Sequence, residues 1–91
     1  MRITDHERYS LEISLKDFQF WGGAASRRQL LTDREMDIIE SFLPELLPEA
    51  DDEDFPGVDE TELNDFLWFE DDLYCAWIGL EPYELYDRKQ W

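Results

Sequence analysis

The sequence predicts a small, mainly helical α+β domain with a short N-terminal β-strand or hairpin. Three patterns carry that expectation. Tyr9, Leu11, Ile13 and Leu15 alternate with Ser10, Glu12, Ser14 and Lys16, the two-residue period of a half-buried strand. Thr32 and Glu35 have capping-box spacing and precede an apolar stripe of helical period. Asp59 with Glu62 repeats that box, and Pro82 suits the first position of a last helix. The 91 residues make one domain, with an acidic loop at about 49–58. A chain this short buries only about 60–65% of the surface its unfolded form exposes. Four Trp, four Tyr and six Phe compensate with large rings, so the expectation is an aromatic core under an acidic coat.

Taken in order, Ile3 fits a first strand, with Asp5-His6-Glu7-Arg8 as a turn into the second. A lone strand needs that hairpin, a later extended segment or a second copy of the chain to pair with. Asp17 is placed to cap a short helix carrying Phe18, Phe20 and Trp21. Gly22-Gly23 weakens any helix through it and suits a bend or a close backbone approach. After Thr32, a helical wheel puts Met36, Ile39, Leu43, Leu46 and Leu47 on one side. Asp33, Asp37, Glu40 and Ser41 lie opposite, Pro44 faces outward and Pro48 ends the helix. The helix after Asp59 turns Leu63, Phe66 and Leu67 inward and leaves Trp68 off the stripe. Asp71 suits the cap of a further helix with Leu73, Ala76, Trp77 and Leu80 inward and Gly79 near its end. Tyr83, Leu85 and Tyr86 would anchor the last helix.

Charge is segregated along the chain. From Glu35 to Asp87 there is no Lys or Arg, yet this stretch holds nineteen of the twenty-four carboxylates; the net charge is −16. Helices there forgo i,i+4 ion pairs worth about 0.2–0.5 kcal/mol each, and like-charge pairs such as Asp33/Asp37 and Glu45/Glu49 cost similar amounts. Shaping for solubility alone would mix the signs. Such a field repels nucleic acid and anionic lipid and draws basic partners. Carboxylates three or four apart on a helix stand about 5–6 Å apart, a spacing that can satisfy a row of Lys and Arg in place of phosphates. The candidate contact residues are Asp51, Asp52, Glu53 and Asp54 on the loop, Asp59, Glu60, Glu62 and Asp65 at the following helix start, and Glu70, Asp71 and Asp72. Phe55, Trp68 and Tyr74, threaded among them, would add contacts if exposed and otherwise belong to the core.

Other chemistries find no support. There is no phosphate-binding glycine loop, and one Cys and one His cannot make a metal cluster. His6, in the N-terminal turn, reads as a solvated residue. Asp52, Asp54 and Gly57 match positions one, three and six of a calcium loop. Pro56 at position five and Leu63 at position twelve break the match. No catalytic residue, metal or cofactor is expected, and the chain reads as a non-enzyme. Cys75 lacks an intramolecular partner, which suits a reducing compartment. No apolar targeting segment follows Met1, and Leu73–Leu80 is far too short to span a bilayer. The expected location is therefore the cytoplasm, away from membranes.

Glu12-Ile13-Ser14-Leu15, Phe20-Trp21-Gly22-Gly23-Ala24 and Thr61-Glu62-Leu63-Asn64-Asp65-Phe66-Leu67-Trp68-Phe69-Glu70-Asp71-Asp72, followed by Trp77-Ile78-Gly79, resemble a group of small acidic proteins of bacteria, phages and mobile elements. The likeness covers residues 12–86, and no catalytic residue comes with it. The Ala50–Phe55 insertion is longer and more acidic than in that group. In size and charge the chain is also similar to anti-CRISPR proteins that act as DNA mimics. That similarity implies occlusion of the basic nucleic-acid groove of a CRISPR effector in a bacterial host. The alternative is an immunity or antitoxin protein neutralising a basic nuclease. A monomer is the simpler state, with a homodimer through the N-terminal strand left open.

Overall fold

Trp21 and Asn64, 43 residues apart in sequence, meet in the computed structural model, which describes residues 1–5, 7, 9–50 and 57–90. The Asn64 amide is buried; its Oδ1 accepts from Trp21 N–H at 3.0 Å and its Nδ2 donates to Trp21 C=O at 3.4 Å. A buried amide satisfied this way is far cheaper than one left unpaired, which costs about 1–3 kcal/mol.

Among the described residues, three strands and five helices run around that contact. Strands β1 (Arg2–Thr4), β2 (Ser10–Glu12) and β3 (Val58–Asp59) form a sheet of order β2-β1-β3. The helices are α1 (Gly23–Leu30), α2 (Asp33–Leu46), α3 (Glu60–Phe69), α4 (Asp71–Ile78) and α5 (Pro82–Tyr86). Short 3-10 turns occupy Leu15–Asp17, Pro48–Ala50 and Asp87–Gln90. The class is α+β, as the sequence predicts. His6, Arg8, the loop residues Asp51, Asp52, Glu53, Asp54, Phe55 and Pro56, and Trp91 lie outside the described residues.

The β1–β2 hairpin forms, with Asp5 Oδ1 accepting from the N–H groups of Glu7 and Tyr9 at 2.9 Å. The strand itself is shorter than the alternation suggests, and the predicted face divides: Leu15 is buried and Ile13 half-buried against the core, whereas Tyr9 and Leu11 are exposed. Ile3, opposite Leu11, is 3% exposed, whereas Leu11 is 47% exposed. Cross-strand partners share a face. Leu11 thus lies on the core side of the sheet but beyond the helices that cover β1. The parallel partner β3 gives β1 its second edge, Ile3 beside Val58.

Two sequence expectations fail between residues 17 and 30. Phe18 is extended and buried rather than helical, after the 3-10 turn. The helix begins later, at Gly23, where the glycines suggested only a bend. Gly22 has φ 61°, and Trp68 lies flat against the pair. A methyl on Gly23 would overlap Trp68 Nε1 and Cε2 and come within 2.8 Å of Cζ2. The close approach that the glycines foretold is the docking of α1 onto α3.

Helix α2 has the full capping box: Glu35 N–H donates to Thr32 Oγ1 and Thr32 N–H to Glu35 Oε1. Met36, Ile39, Leu43 and Leu47 are buried as expected, but Leu46 is 43% exposed. Glu40 is half-buried rather than outward: its Oε1 accepts from Leu15 N–H at 2.6 Å and its Oε2 lies 3.5 Å from the Met1 ammonium. Leu63, Phe66 and Leu67 are buried on α3 as predicted. On α4 the buried residues are Tyr74 and Cys75, whereas Ala76 is exposed. Leu73, Trp77 and Leu80 of the predicted stripe are half-buried against the core, and the buried surface is broader than one stripe because α4 packs against α2 and α3 and also against α5. Gly79 closes α4 in the left-handed conformation, and Pro82 opens α5. Leu85 is buried and Tyr86 half-buried; Tyr83 is exposed and anchors nothing.

Arg88 fastens the C-terminal turn. It donates to Leu30 C=O at 3.0 Å and makes a forked pair with Glu35 at 2.7 and 3.0 Å. That pair holds the Glu35 carboxyl below its ordinary value. A depressed carboxylate contributes stability above its unfolded value of 4.5, and this is lost as pH falls through the folded value. Arg88→Met should therefore lower stability by about 1–2 kcal/mol near neutral pH. The gap to wild type should narrow as pH falls from 4.5 through the lowered folded value, leaving only the share due to the Leu30 carbonyl bond, as denaturant titrations would show. At the α1–α3 seam, Gly23→Ala should cost about 1–3 kcal/mol through overpacking. That cost should shrink in a Trp68→Phe background, which lacks the colliding atoms, as a double-mutant cycle would measure.

Candidate functional site

The seam with α1 fixes the rotation of α3. Leu63, Asn64, Leu67 and Trp68 face inward, so Glu62, Asp65 and Phe69 face out on one side at helical spacing. These three, with Phe66 and Glu70, form one wall of a groove of about 390 Å³; Leu46 and Leu47 of α2 form the other. Its floor is apolar and its rim acidic. Phe69 is 64% exposed and stacks parallel on Trp68 at 5.1 Å between ring centroids. Phe66 is braced from behind by Trp77, which also stacks on Phe42 of α2. The groove therefore has a rigid bed of rings that ties α2, α3 and α4 together.

Among the described residues, no cation pairs with Glu62, Asp65 or Glu70. Three bases elsewhere are committed to other acids. Arg28 pairs with Asp33 at 2.6 Å, Lys16 with Asp37 at 3.7 Å, and Arg88 with Glu35. The Asp33/Asp37 repulsion expected from sequence is thus offset by cations from the N-terminal third. The groove also abuts the C-terminal end of α2, the negative pole of that helix, with no basic residue in its last turn.

The remaining candidates divide. Asp59 ends β3 and caps α3, its Oδ1 accepting from Thr61 and Glu62 N–H groups at 2.8 and 3.3 Å. Glu60 is half-buried. Asp71 is half-buried and accepts a hydrogen bond from Tyr86 Oη, which makes it a brace between α4 and α5 rather than part of a free face. It does not cap α4 with its side chain; Glu70 is the N-cap residue. Asp72 is exposed in the first turn of α4. Asp51, Asp52, Glu53 and Asp54 lie outside the described residues, as does Phe55. Tyr74 is fully buried and donates to Leu67 C=O at 3.1 Å, so it cannot meet a partner. Trp68 is half-buried in the α1–α3 seam. Sequence reading missed Leu46 and Phe69 as surface residues, although the spacing of Phe69, four after Asp65 and seven after Glu62, held the signal.

Other groups are unsuited to chemistry. Burial, then the carboxylates of Asp71 and Asp72, push the Cys75 thiol up to about 11, which leaves it protonated and inert at neutral pH. Burial and the bond to Asp71 push the Tyr86 phenol up to about 12. Two further hollows are lined by engaged groups: Glu40 and Asp37 in one, Arg28 in the other. No cluster of three metal-ligating side chains occurs among the described residues, and none of their helices is long and apolar enough to cross a membrane. No family model, curated protein or solved structure matches the chain.

Uncompensated carboxylates on one face repel one another, and salt screens them within about 8–10 Å. The thermal midpoint should therefore rise between about 10 mM and about 500 mM NaCl. The rise should be smaller in a Glu62→Gln/Asp65→Asn/Glu70→Gln variant, as melting curves across that salt series would show.

Proposed function

We propose that this chain is an inhibitor that acts by binding: its acidic face occupies the basic nucleic-acid-binding groove of a partner protein or complex. The setting is the cytoplasm of a bacterial host, and a CRISPR effector prevented from recognising target DNA is the partner implied by the resemblance. The chain acts as a non-enzymatic monomer that binds neither nucleic acid nor membrane. The observation that carries the reading is the placement of Glu62, Asp65 and Glu70 on one groove with no cation paired to them among the described residues. Asp72, and the loop residues Asp51, Asp52, Glu53 and Asp54, extend the same charge along the chain. Attraction of this kind gives fast, salt-sensitive association.

A second reading, an immunity protein that neutralises a basic nuclease, draws support from the apolar floor of the groove, which a pure phosphate substitute has no need of. Affinity capture from the host with quantitative mass spectrometry separates the two. The proposal expects enrichment of a nucleic-acid-binding effector, competed by duplex DNA and lost with the Glu62→Gln/Asp65→Asn/Glu70→Gln variant. Enrichment of a lone nuclease would favour the immunity reading. Captured proteins indifferent to both the triple change and competing DNA would overturn the proposal.

A further inference from the structure

We infer that the α2–α3 groove is the docking site for a basic amphipathic helix of the partner: one large apolar side chain lies on the floor while Lys or Arg residues at helical spacing meet the rim. The inference rests on the acidic-face reading above and adds the part of the contact that carboxylates cannot supply.

Leu46 and Phe69 stand exposed on opposite walls, at 43% and 64%, with buried Phe66 between them. An apolar trough of about 390 Å³ is within the size range of sites that bind small ligands or single anchoring side chains. Exposed large apolar groups on a highly charged chain are an aggregation liability unless they have an occupant. The rim selects which occupant. Glu62 and Asp65, three apart on α3, stand about 5–6 Å from one another. Lys or Arg residues three or four apart on a partner helix have the same spacing, and they bring an apolar neighbour over the floor. A second copy of this chain does not fit, because it would bring its own carboxylates to the rim. Helix-in-groove docking with flanking charges is a recurrent mode of recognition.

The test uses the full chain and three synthetic peptides: a Lys/Leu helix of amphipathic spacing, its Ser-for-Leu counterpart of equal charge, and a scrambled peptide of the same composition. Binding is read by calorimetry and by NMR shifts. The amphipathic peptide should bind at least about tenfold more tightly than the other two. Its shifts should centre on residues 46–47 and 62–70. Phe69→Ser and, separately, Leu46→Ser should erase that tenfold gap while leaving the Ser-for-Leu affinity unchanged. Both side chains are exposed, so both variants keep the fold, which unchanged melting curves would verify. Equal binding of all three peptides, or a gap that survives both substitutions, would overturn the groove while leaving the acidic face standing. Failure of every Lys peptide to bind at low salt would sink the acidic-face reading as well.

Discussion

The reciprocal pair of hydrogen bonds between the Asn64 amide and the Trp21 backbone is the constraint on which the arrangement of the surface depends. It sets both the depth and the rotation of α3 against the start of α1. Trp68 on Gly22–Gly23 then sets the distance, because no side chain fits between them. Once Leu63, Asn64, Leu67 and Trp68 are committed to that seam, helical geometry leaves Glu62, Asp65 and Phe69 no place except the opposite side. The surface chemistry is thus a consequence of an interior contact. Trp21, Gly22 and Gly23 on one side and Asn64 and Trp68 on the other make this seam, so the residue pattern at these positions is accounted for by packing.

Electrostatics follows the same division. Arg28 and Arg88 converge on the first turn of α2 and the end of α1, where Asp33, Glu35 and the carbonyls of Leu30 and Leu31 receive them. Several acids elsewhere also have structural work. Asp59 caps α3, Asp71 braces Tyr86, and first-turn acids on α2, α3 and α4 each gain about 0.3–1 kcal/mol from the helix dipole. Segregation of charge along the sequence therefore overstates the repulsion in the fold. The remainder sits on α3 beside the C-terminal end of α2, where neither a cation nor a dipole offsets Asp65.

The helices after Thr32 were legible because their signals are local. The Thr32/Glu35 capping box, the Asp59 cap (a one-way cap rather than the full box predicted), Pro82 and Gly79 act on their own turns, and the stripes of α2 and α3 each face a single core. The failures come from tertiary context. Alternation at Tyr9–Leu15 promised a buried face, which Ile13 and Leu15 keep against the core while Tyr9 and Leu11 stay exposed. A glycine pair at the start of α1 argued against a helix that packing on Trp68 requires. On α4, contacts on several sides removed any single stripe, and Tyr74 passed from candidate contact to core. The groove was half legible: its rim acids were named, whereas its floor depends on Leu46 escaping the core at the last turn of α2. No local pattern encodes that escape.

The density of charge bears on the mimicry proposed for this face. Glu62 to Glu70 spans eight residues, roughly 12 Å along the axis at about 1.5 Å per residue. Three carboxylates over that length leave about 6 Å of axis between neighbours, wider than the charge spacing of one DNA strand at about 3.4 Å and far short of the duplex at about 1.7 Å. Charge at that density steers encounter and sets association rate, but screening reduces it sharply at physiological salt. Residence time must then come from contacts that salt does not weaken, and affinity differences between related complexes lie mostly in dissociation. The ring-braced trough beneath the rim is the one feature of this face able to supply them. In the proposed complex, acidic rim and apolar floor are therefore complementary parts of one surface, the first governing arrival and the second departure.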